Sequence, residues 1–403
     1  MTSQEIKRSG VVLLFKNPFE HENSWPPDLL FKTSSVLTSV KIGVLQEQSM
    51  PRPLTRRSFV AGAALGSASV FVRSLRAPAF AEGFGAPRRS SNEQGERRRA
   101  DYTFTQFHNQ TPASSLHRRL VEMWAAIRTE TRGRVETQVF AQNNRLAGSD
   151  PAALNMLVAG EIQFFTLMGG ILGTVVPAAE IQQVPFVFRS AAHAHKAMDG
   201  ALGSYLREEM AAKGIFGFPV GAFDNGMRHI AGTKRPIVRP DDLIGVRMRV
   251  PAGQMVADTF RALGAEPITI NSDGIYGALK TGKVDAQENP LALVDLFKIY
   301  EVVKYVSMTN HMWSGFNLLS HLPTWKRLPG DITAVIERNV TEYVRRQRRD
   351  QEQMNARLRT GLARRGLVFN DVAPGPFRDK LSGVYGTWKE RLGTTCWSLL
   401  TGN

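Results

Sequence analysis

The stretch TGKVDAQENPLALV, residues 281–294, joins a helix end to a short strand and then to an apolar run. Its TGK segment is typical of a helix C-terminus. The segment VDAQ follows as a strand, and Pro290 ends it because proline cannot donate to a strand ladder. The polar residues Gln287 to Asn289 therefore lie at the end of the strand, directly before residues 291–294, which favour burial.

Strand and helix patterns alternate outward from this stretch. The strand candidates are YTFTQFHN, RVETQVFA, QFFTLMGG, GIFGFPVGAF, GVRMRVP and PITIN. The helix candidates are SSLHRRLVEMWAAIRTETRG, DPAALNMLVAGEI, QMVADTFRALG and SDGIYGALKTGKV. In the second of these helices, Asp150 is predicted to be the N-cap and Pro151 the first helical residue. The alternation predicts an α/β fold with mainly parallel sheets.

Residues 329–366 contain no interior proline or glycine until Gly361, so they predict one long helix. Its apolar stripe consists of Ile332, Val335, Ile336, Val340, Tyr343 and Val344. A helix of this length usually spans two domains or lies along one of them.

The segment TRRSFVA is followed by the apolar stretch AGAALGSASVFV and by the small-x-small pattern Ala79-Phe80-Ala81. Together these features predict a twin-arginine export signal at about residues 50–81. A transmembrane helix is the alternative, but the apolar stretch is too short and Arg73 and Arg76 interrupt it.

Residues 1–49 precede this signal, although a signal peptide should begin near its arginines. We therefore expect translation to begin at Met50. Residues 82–99, EGFGAPRRSSNEQGERRR, are rich in glycine, serine and charge and predict a disordered linker. The mature protein is then expected to begin near Ala100, so that residues 1–99 form a leader.

The formal net charge is +15, which could indicate nucleic-acid binding. The first 99 residues carry 15 Lys+Arg and 8 Asp+Glu, a net of +7, which leaves +8 for the remainder. Much of that remainder lies in YVRRQRRDQEQMNARLRTGLARR, a pattern typical of a solvated helix face. Basic residues are not interleaved with aromatic ones, so no nucleic-acid partner is predicted.

Enzyme motifs are missing from the sequence: it has no G-x-S-x-G, H-E-x-x-H, G-x-x-x-x-G-K-[ST] or G-x-G-x-x-G signature in the right context. The single cysteine, Cys396, allows neither an intrachain disulfide nor a cysteine metal site. We therefore predict no catalytic residues, no metal ligands and no cofactor. His311 could line a pocket, and a structural role is at least as consistent with its surroundings.

Two arginines are the best candidates for binding an anion. Arg249 lies at the end of the strand GVRMRVP, just before Pro251, and ligands of open α/β sheets bind beyond the strand ends. Arg228 lies in AFDNGMRHIAG, after a break that contains glycine. A planar guanidinium at either place could bind a carboxylate through two parallel hydrogen bonds, and a surface charge is the alternative.

The segments GVRMRVPAG, GAEPITI, YGALKTGKVDAQENP, KYVSMTNH and FDNGMRHIAG together resemble the DctP-type extracytoplasmic solute receptors of TRAP transporters. This resemblance covers most of residues 100–390. It implies a two-domain clamshell of mixed, mainly parallel sheets joined by hinge strands. Domain I is expected over residues 100–223 and domain II over 224–320, with the long helix and tail, 321–403, packing across both.

The resemblance also implies an organic acid as the ligand. The family's main carboxylate-binding arginine corresponds to Arg249, and a second arginine that some members use corresponds to Arg228. The asparagine of the QENP motif corresponds to Asn289, next to Gln287, and faces the cleft. FTLMGG stands where sialic-acid-binding members carry a glutamate, which favours a smaller or more apolar acid.

Two further site candidates are less specific. Trp313 is expected either to form an aromatic wall of the pocket or to belong to the domain core. His108 follows the first strand, where these receptors present a loop that faces the ligand.

The implied partners are a small and a large TRAP membrane subunit, and the implied location is the periplasm after twin-arginine export. The alternative functions are a sensory or scaffold binding module with the same fold or, less consistent with the sequence, an exported hydrolase.

Overall fold

The structure is a computed structural model that describes residues 99–402. The predictions for the start site, the export signal and most of the linker concern residues 1–98 and lie outside the described residues. Nine strands are described: β1 Tyr102–His108, β2 Val135–Phe140, β3 Phe164–Met168, β4 Ile215–Gly232, β5 Arg247–Val250, β6 Glu266–Thr269, β7 Ala286–Asn289, β8 Tyr305–His321 and β9 Val368–Asp371.

The helices of residues 99–402 are α1 Ser115–Glu130, α2 Ser149–Ala159, α3 Gly169–Leu172, α4 Ala191–Asp199, α5 Ala201–Ala211, α6 Gln254–Ala262, α7 Ile275–Lys280, α8 Leu291–Leu296, α9 Leu322–Lys326, α10 Gly330–Arg364, α11 Gly375–Lys380 and α12 Ser382–Thr401. Short 3-10 segments occupy Ala141–Arg145, Pro177–Gln183, Pro240–Leu243, Ser272–Gly274 and Ile299–Glu301.

The strands form a mixed sheet in the order β2-β1-β3-β8-β4-β7-β5-β6, with β9 paired to β8. At one end, β1 pairs in parallel with β2 and β3. At the other end, β5 pairs in parallel with β6 and β7. These two parallel groups are the sheets of two lobes.

Strands β4 and β8 connect the lobes. They are 18 and 17 residues long and run antiparallel to each other, from the pair Ile215 and His321 to the pair Gly232 and Tyr305. Strand β3 pairs with one half of β8, and β7 pairs with the opposite half of β4. The prediction of two α/β domains joined by hinge strands is confirmed, and the expected boundary between residues 223 and 224 falls inside β4.

Each lobe has its own apolar core, because helices cover the sheet on either side. The first lobe is packed around Trp124, Phe164 and Phe165, all of which are buried. Helix α1 packs its apolar face against this core, and its buried residues are Leu116, Leu120, Met123, Trp124 and Ile127. The second lobe has two smaller clusters, one around Met248 and Phe260 and one around Ile275 and Val294.

The long helix is confirmed as α10, which is 35 residues long. Asn339 donates to Glu130 of α1 at 3.0 Å, and Arg119 of α1 donates to Asp350 at 2.8 Å. Near the other end of α10, Arg365 pairs with Asp295 of α8. Because α1 belongs to the first lobe and α8 to the second, the helix braces both.

Three local predictions are wrong. Helix α2 begins at Ser149 after Gly148, whose φ of 84° is in the left-handed region, so Asp150 lies within the first turn and does not cap the helix. The glycine of DNGMR does not break the strand, because β4 continues through a bulge there with Gly226 at φ 93°. Gly169 and Gly170, expected in the third strand, begin α3.

Candidate functional site

Arg249 lies where the two lobes face each other. It occupies the third position of β5, and the chain turns away at Pro251 immediately afterwards. The side chain is 3% exposed and lines a small cavity. Its Nε donates to the carbonyl of Ile270 at 2.8 Å, which fixes the plane of the guanidinium.

The two Nη atoms of Arg249 make no hydrogen bond to any of residues 99–402, and no carboxylate of that part of the chain lies within 4.0 Å. Burial lowers the pKa of Arg249 to about 10, and the nearby charges of Glu288 and Asp150 only partly offset this effect. At neutral pH the side chain is still a cation. The site therefore presents a buried positive charge whose bidentate edge is available to an anion.

Arg228 also lines the cavity, but its charge is already neutralised. Its Nε and Nη2 pair with the two carboxylate oxygens of Glu288, with Nη2 at 2.5 Å from Oε1. Nη1 donates to Ser314 Oγ at 3.0 Å and lies 3.4 Å from Met168 Sδ. The fork that was predicted to bind a ligand carboxylate is thus occupied by a carboxylate of the protein itself.

The partner, Glu288, is buried and also accepts from His311 Nε2 at 3.2 Å. Burial raises its pKa, but the charge and hydrogen bonds of Arg228 and the contact with His311 outweigh burial and lower the pKa to about 2. The other ring nitrogen of His311, Nδ1, lies 2.7 Å from Thr309 Oγ1 at hydrogen-bond distance. His311 is 3% exposed. His311 therefore has the structural role that the sequence left open.

Asn289 and Gln287 lie beside this pair on β7. Asn289 Oδ1 accepts from Arg228 Nη2 at 3.2 Å, and its Nδ2 donates to Gln287 Oε1 at 2.6 Å. Asn289 lines the cavity, whereas Gln287 is fully buried behind it. Gln287 thus orients Asn289.

Asp150 forms the opposite wall, in the first lobe. It is 2% exposed, and its Oδ2 and Oδ1 accept from the side-chain amides of Asn109 at 2.8 Å and Asn143 at 2.7 Å. Burial raises its pKa, and the two hydrogen bonds and the charge of Arg249 oppose that rise. The cavity therefore has a cation on one lobe and a hydrogen-bond acceptor on the other.

The cavity has two parts. The inner part, of about 30 Å³, has polar groups on a largely apolar wall that consists of Met168, Ile171, Pro251, Ile275, Leu293, Phe297 and Phe316. The outer part, of about 450 Å³, adjoins it through Asn109, Ser272 and Phe297. Their combined size lies in the range of ordinary small-molecule sites.

Two predicted site residues point elsewhere. Trp313 is fully buried in the first-lobe core and donates from Nε1 to Asp224 Oδ1 at 2.9 Å, so the core alternative describes its position. His108 is fully buried, with its Nε2 at 2.9 Å from His117 Nδ1 of α1, so its ring is turned away from the cavity. On β8, Trp313 alternates with Ser314 and Phe316, which line the cavity, so its side chain lies on the other face of the strand.

Within residues 99–402 there is no group of three or more His, Cys, Asp or Glu side chains that could hold a metal ion. None of the helices in this range combines the length and the apolarity needed to cross a membrane.

The fold and the cavity define a class of protein: a two-lobed protein with a cavity between its lobes that a buried arginine lines. A family profile described as bacterial extracellular solute-binding protein, family 7 (DctP), matches residues 107–390. The chain belongs to this family, whose members are solute receptors of the periplasm.

The chain is also similar to individual proteins. The protein y4mM of Sinorhizobium fredii is 32% identical over 288 residues, which are 72% of this chain and 49% of the relative. The C4-dicarboxylate-binding periplasmic protein DctP of Rhodobacter capsulatus is 30% identical over 213 residues, 53% of this chain and 62% of the relative. This chain thus spans between about half and two thirds of the length of these two curated relatives.

Among solved structures, a TRAP periplasmic solute-binding protein from Polaromonas sp. JS666 bound to D-erythronate superposes with a TM-score of 0.70. It is 25% identical in sequence, and the match covers 74% of this chain and 98% of that one.

Proposed function

We propose that this protein captures a small organic acid in the cleft between its lobes and delivers it to the small and large membrane subunits of a TRAP transporter. The observation that carries the proposal is Arg249, a buried cation whose two Nη atoms have no partner among the described residues. A carboxylate with bidentate geometry removes the cost of that unpaired charge. Binding without turnover is consistent with the family, and export by the twin-arginine route belongs to the same proposal.

The chemistry of the opposite wall narrows the ligand. Asp150 presents a carboxylate that accepts from two amides and has further lone pairs. A hydroxyl group on the ligand can donate to it, whereas a second ligand carboxylate would be repelled. Relatives are described as binding D-erythronate, a hydroxy acid, and C4-dicarboxylates. We infer that a short hydroxy acid is preferred over a dicarboxylate.

The inner cavity also limits size. Met168 and Phe316 stand close to Arg228 and Arg249 around a volume of about 30 Å³, so the carboxylate end of the ligand occupies the inner part. The rest of the ligand extends into the outer chamber, where Asn109 and Ser272 can bind further hydroxyl groups.

The experiment is a thermal-shift screen of the protein from residue 99 onward against organic acids, followed by titration calorimetry of each acid that raises the melting temperature. Because the ligand binds the folded state, it should raise the melting temperature. We expect D-erythronate and similar hydroxy acids to give larger shifts than succinate. No shift with any carboxylate, together with a shift for uncharged sugars, would contradict the proposal.

A further inference from the structure

Glu180 is a buried carboxylate of the first lobe that holds a helix of the second lobe. It lies in the 3-10 segment Pro177–Gln183, whose residues Ala179 and Ile181 belong to the first-lobe core. Its Oε1 accepts from the backbone N–H of Gln254 at 2.7 Å, and its Oε2 from that of Met255 at 3.3 Å. These two groups are the first N–H donors of α6, which are unsatisfied within the helix itself.

The contact is tightly packed. A Cβ added at Gly173 would lie 2.5 Å from Glu180 Cγ, so only glycine at that position leaves room for the side chain. On the other side, a Cβ at Gly253 would lie 3.2 Å from the carbonyl oxygen of Gly170. Met255 is packed in the first-lobe core, although its neighbour Val256 belongs to a cluster of the second lobe.

This contact is close in sequence to the ligand site. Helix α6 begins five residues after Arg249, and Pro251 in between lines the same cavity. When Glu180 caps α6, it therefore fixes the short loop that follows Arg249 and β5 against the first lobe. If the lobes separate at this contact, Glu180 loses its two donors and returns to water.

We propose that the Glu180 carboxyl group couples closure of the two lobes to proton uptake, which makes it a positioning residue for Arg249. In the structure, burial raises the pKa of Glu180 to about 7, and the two backbone hydrogen bonds only partly oppose the rise. In an open form, the group is hydrated and has its ordinary pKa of about 4.3. The closed form thus binds more protons between these values, so closure is favoured as pH falls through 7.

The charged surroundings support this assignment. Among residues 99–402, the charged side chain that acts on Glu180 is Asp258 of α6, and its negative charge raises the pKa of Glu180 further. Trp388 and Arg391 of α12 bind Asp258 at 3.2 and 3.4 Å. The groups of β8 that reach this segment are the Trp313 carbonyl and the Asn317 amide, which carry no charge, and the residues of α3 have no titratable side chain.

The effects of other titratable groups near these elements can be distinguished from the effect of Glu180. Glu209 of α5 acts on Tyr205 and on Cys396 of α12. Burial lowers the pKa of His108 and of His229 to about 3, so both rings are neutral between pH 5 and 8. Burial also raises the pKa of Asp150. A variant of Glu180 still contains Asp150, so any contribution of Asp150 to the pH dependence of closure is the same in the variant and in the parent.

The test needs no ligand, so its failure is distinct from a failure of the proposed function. Spin labels are attached at Ala147→Cys and Lys280→Cys, two exposed positions on opposite lobes. The natural Cys396 is fully buried. Pulsed electron paramagnetic resonance then measures the distribution of distances between the two spin labels at pH 5.5 and at pH 8.

For the unmodified Glu180 we expect the ratio of short to long distances to fall on the order of tenfold from pH 5.5 to pH 8. The neutral variant Glu180→Gln should keep the low-pH distribution at both values. The matched control is Glu161→Gln, an exposed carboxylate of the same lobe, which should behave like the parent. An equal response to pH in Glu180→Gln and the parent, or no response in either, would overturn the proposal.

Discussion

Replacement of Arg249 by alanine should abolish tight binding of the organic acid without harming the fold. The guanidinium is already oriented by its bond to the Ile270 carbonyl, and both Nη atoms are available for the ligand. Two charge-assisted hydrogen bonds of about 1.5–3 kcal/mol each would then form. Truncation of one partner of such a desolvated pair costs about 2–5 kcal/mol, which corresponds to a Kd higher by about 30-fold to several thousand-fold.

The unliganded protein should respond differently. Arg249 is a buried charge without a counter-ion within salt-bridge distance among the described residues, so its removal relieves a desolvation cost. We therefore expect the melting temperature of ligand-free Arg249→Ala to be equal to or higher than that of the parent. Arg249→Lys keeps the charge but loses the bidentate edge, and its Kd should rise by about 10-fold to 100-fold.

The chain offers a matched control in the same strand. Arg247 lies two residues earlier, is 39% exposed at its side chain and pairs with Asp285 at 2.7 Å. Arg247→Ala should bind the acid with unchanged affinity. Titration calorimetry with D-erythronate, or with the acid that gives the largest thermal shift, measures all of these variants. An unchanged Kd for Arg249→Ala would refute the reasoning.

Three further predictions concern Glu288, Asp150 and Trp313. Glu288→Gln leaves the buried Arg228 without its counter-ion and should lower the free energy of unfolding by about 3–5 kcal/mol at pH 7 in urea titrations. The folded state lowers the pKa of Glu288 to about 2, so the contribution of Glu288 to the free energy of unfolding is complete above about pH 4.5 and is lost as the pH falls towards 2. An acid-unfolding midpoint of the parent equal to that of the variant would argue against this. Asp150→Asn should weaken binding of D-erythronate more than that of succinate in paired calorimetry, and an equal loss for both acids would remove Asp150 from ligand selection. Trp313→Phe removes the hydrogen bond to Asp224 and should cost about 1–3 kcal/mol of stability by thermal or urea unfolding, while the Kd of the acid stays within twofold of the parent.

The parts of the fold that could be predicted from sequence are those with regular periodicity. The apolar residues of α1 and α10 repeat every three to four residues, so both helices were predicted. Of the predicted stripe of α10, Ile332, Ile336, Val340 and Val344 are buried, whereas Val335 and Tyr343 are half-buried. Strand β8 was not predicted, because its polar residues Ser314 and Asn317 are buried between neighbouring strands and hide the alternation. In β4 the glycine of the bulge resembled a loop signal.

Two of the candidate site residues line the cavity because of their position along a strand. Arg249 and Asn289 stand at the ends of β5 and β7, and the strand-end rule brings such residues to one crevice. The pairing of Arg228 with Glu288 could not be predicted, since the two residues are 60 positions apart and meet only through the register of β4 against β7. A sequence signal for it did exist: a charged residue within an otherwise buried strand requires a counter-ion.

The contributions of Asp150 and Glu180 were missed for a similar reason. Asp150 was assigned to a helix cap, and only the left-handed turn before α2 rotates its carboxylate towards Asn109 and Asn143. Glu180 stands 74 residues before the helix that it caps. Contacts of this kind follow from how the two lobes meet, which local sequence patterns do not encode.

The central claim is that a carboxylate ligand is held by Arg249 in the cleft between the lobes. A crystal structure of the protein from residue 99 onward, grown with D-erythronate or with the acid that binds best, tests it most directly. We predict that the two carboxylate oxygens lie at hydrogen-bond distance from the two Nη atoms of Arg249, with a ligand hydroxyl on Asp150. A ligand bound outside the cleft, or one whose carboxylate does not contact Arg249, would contradict the account.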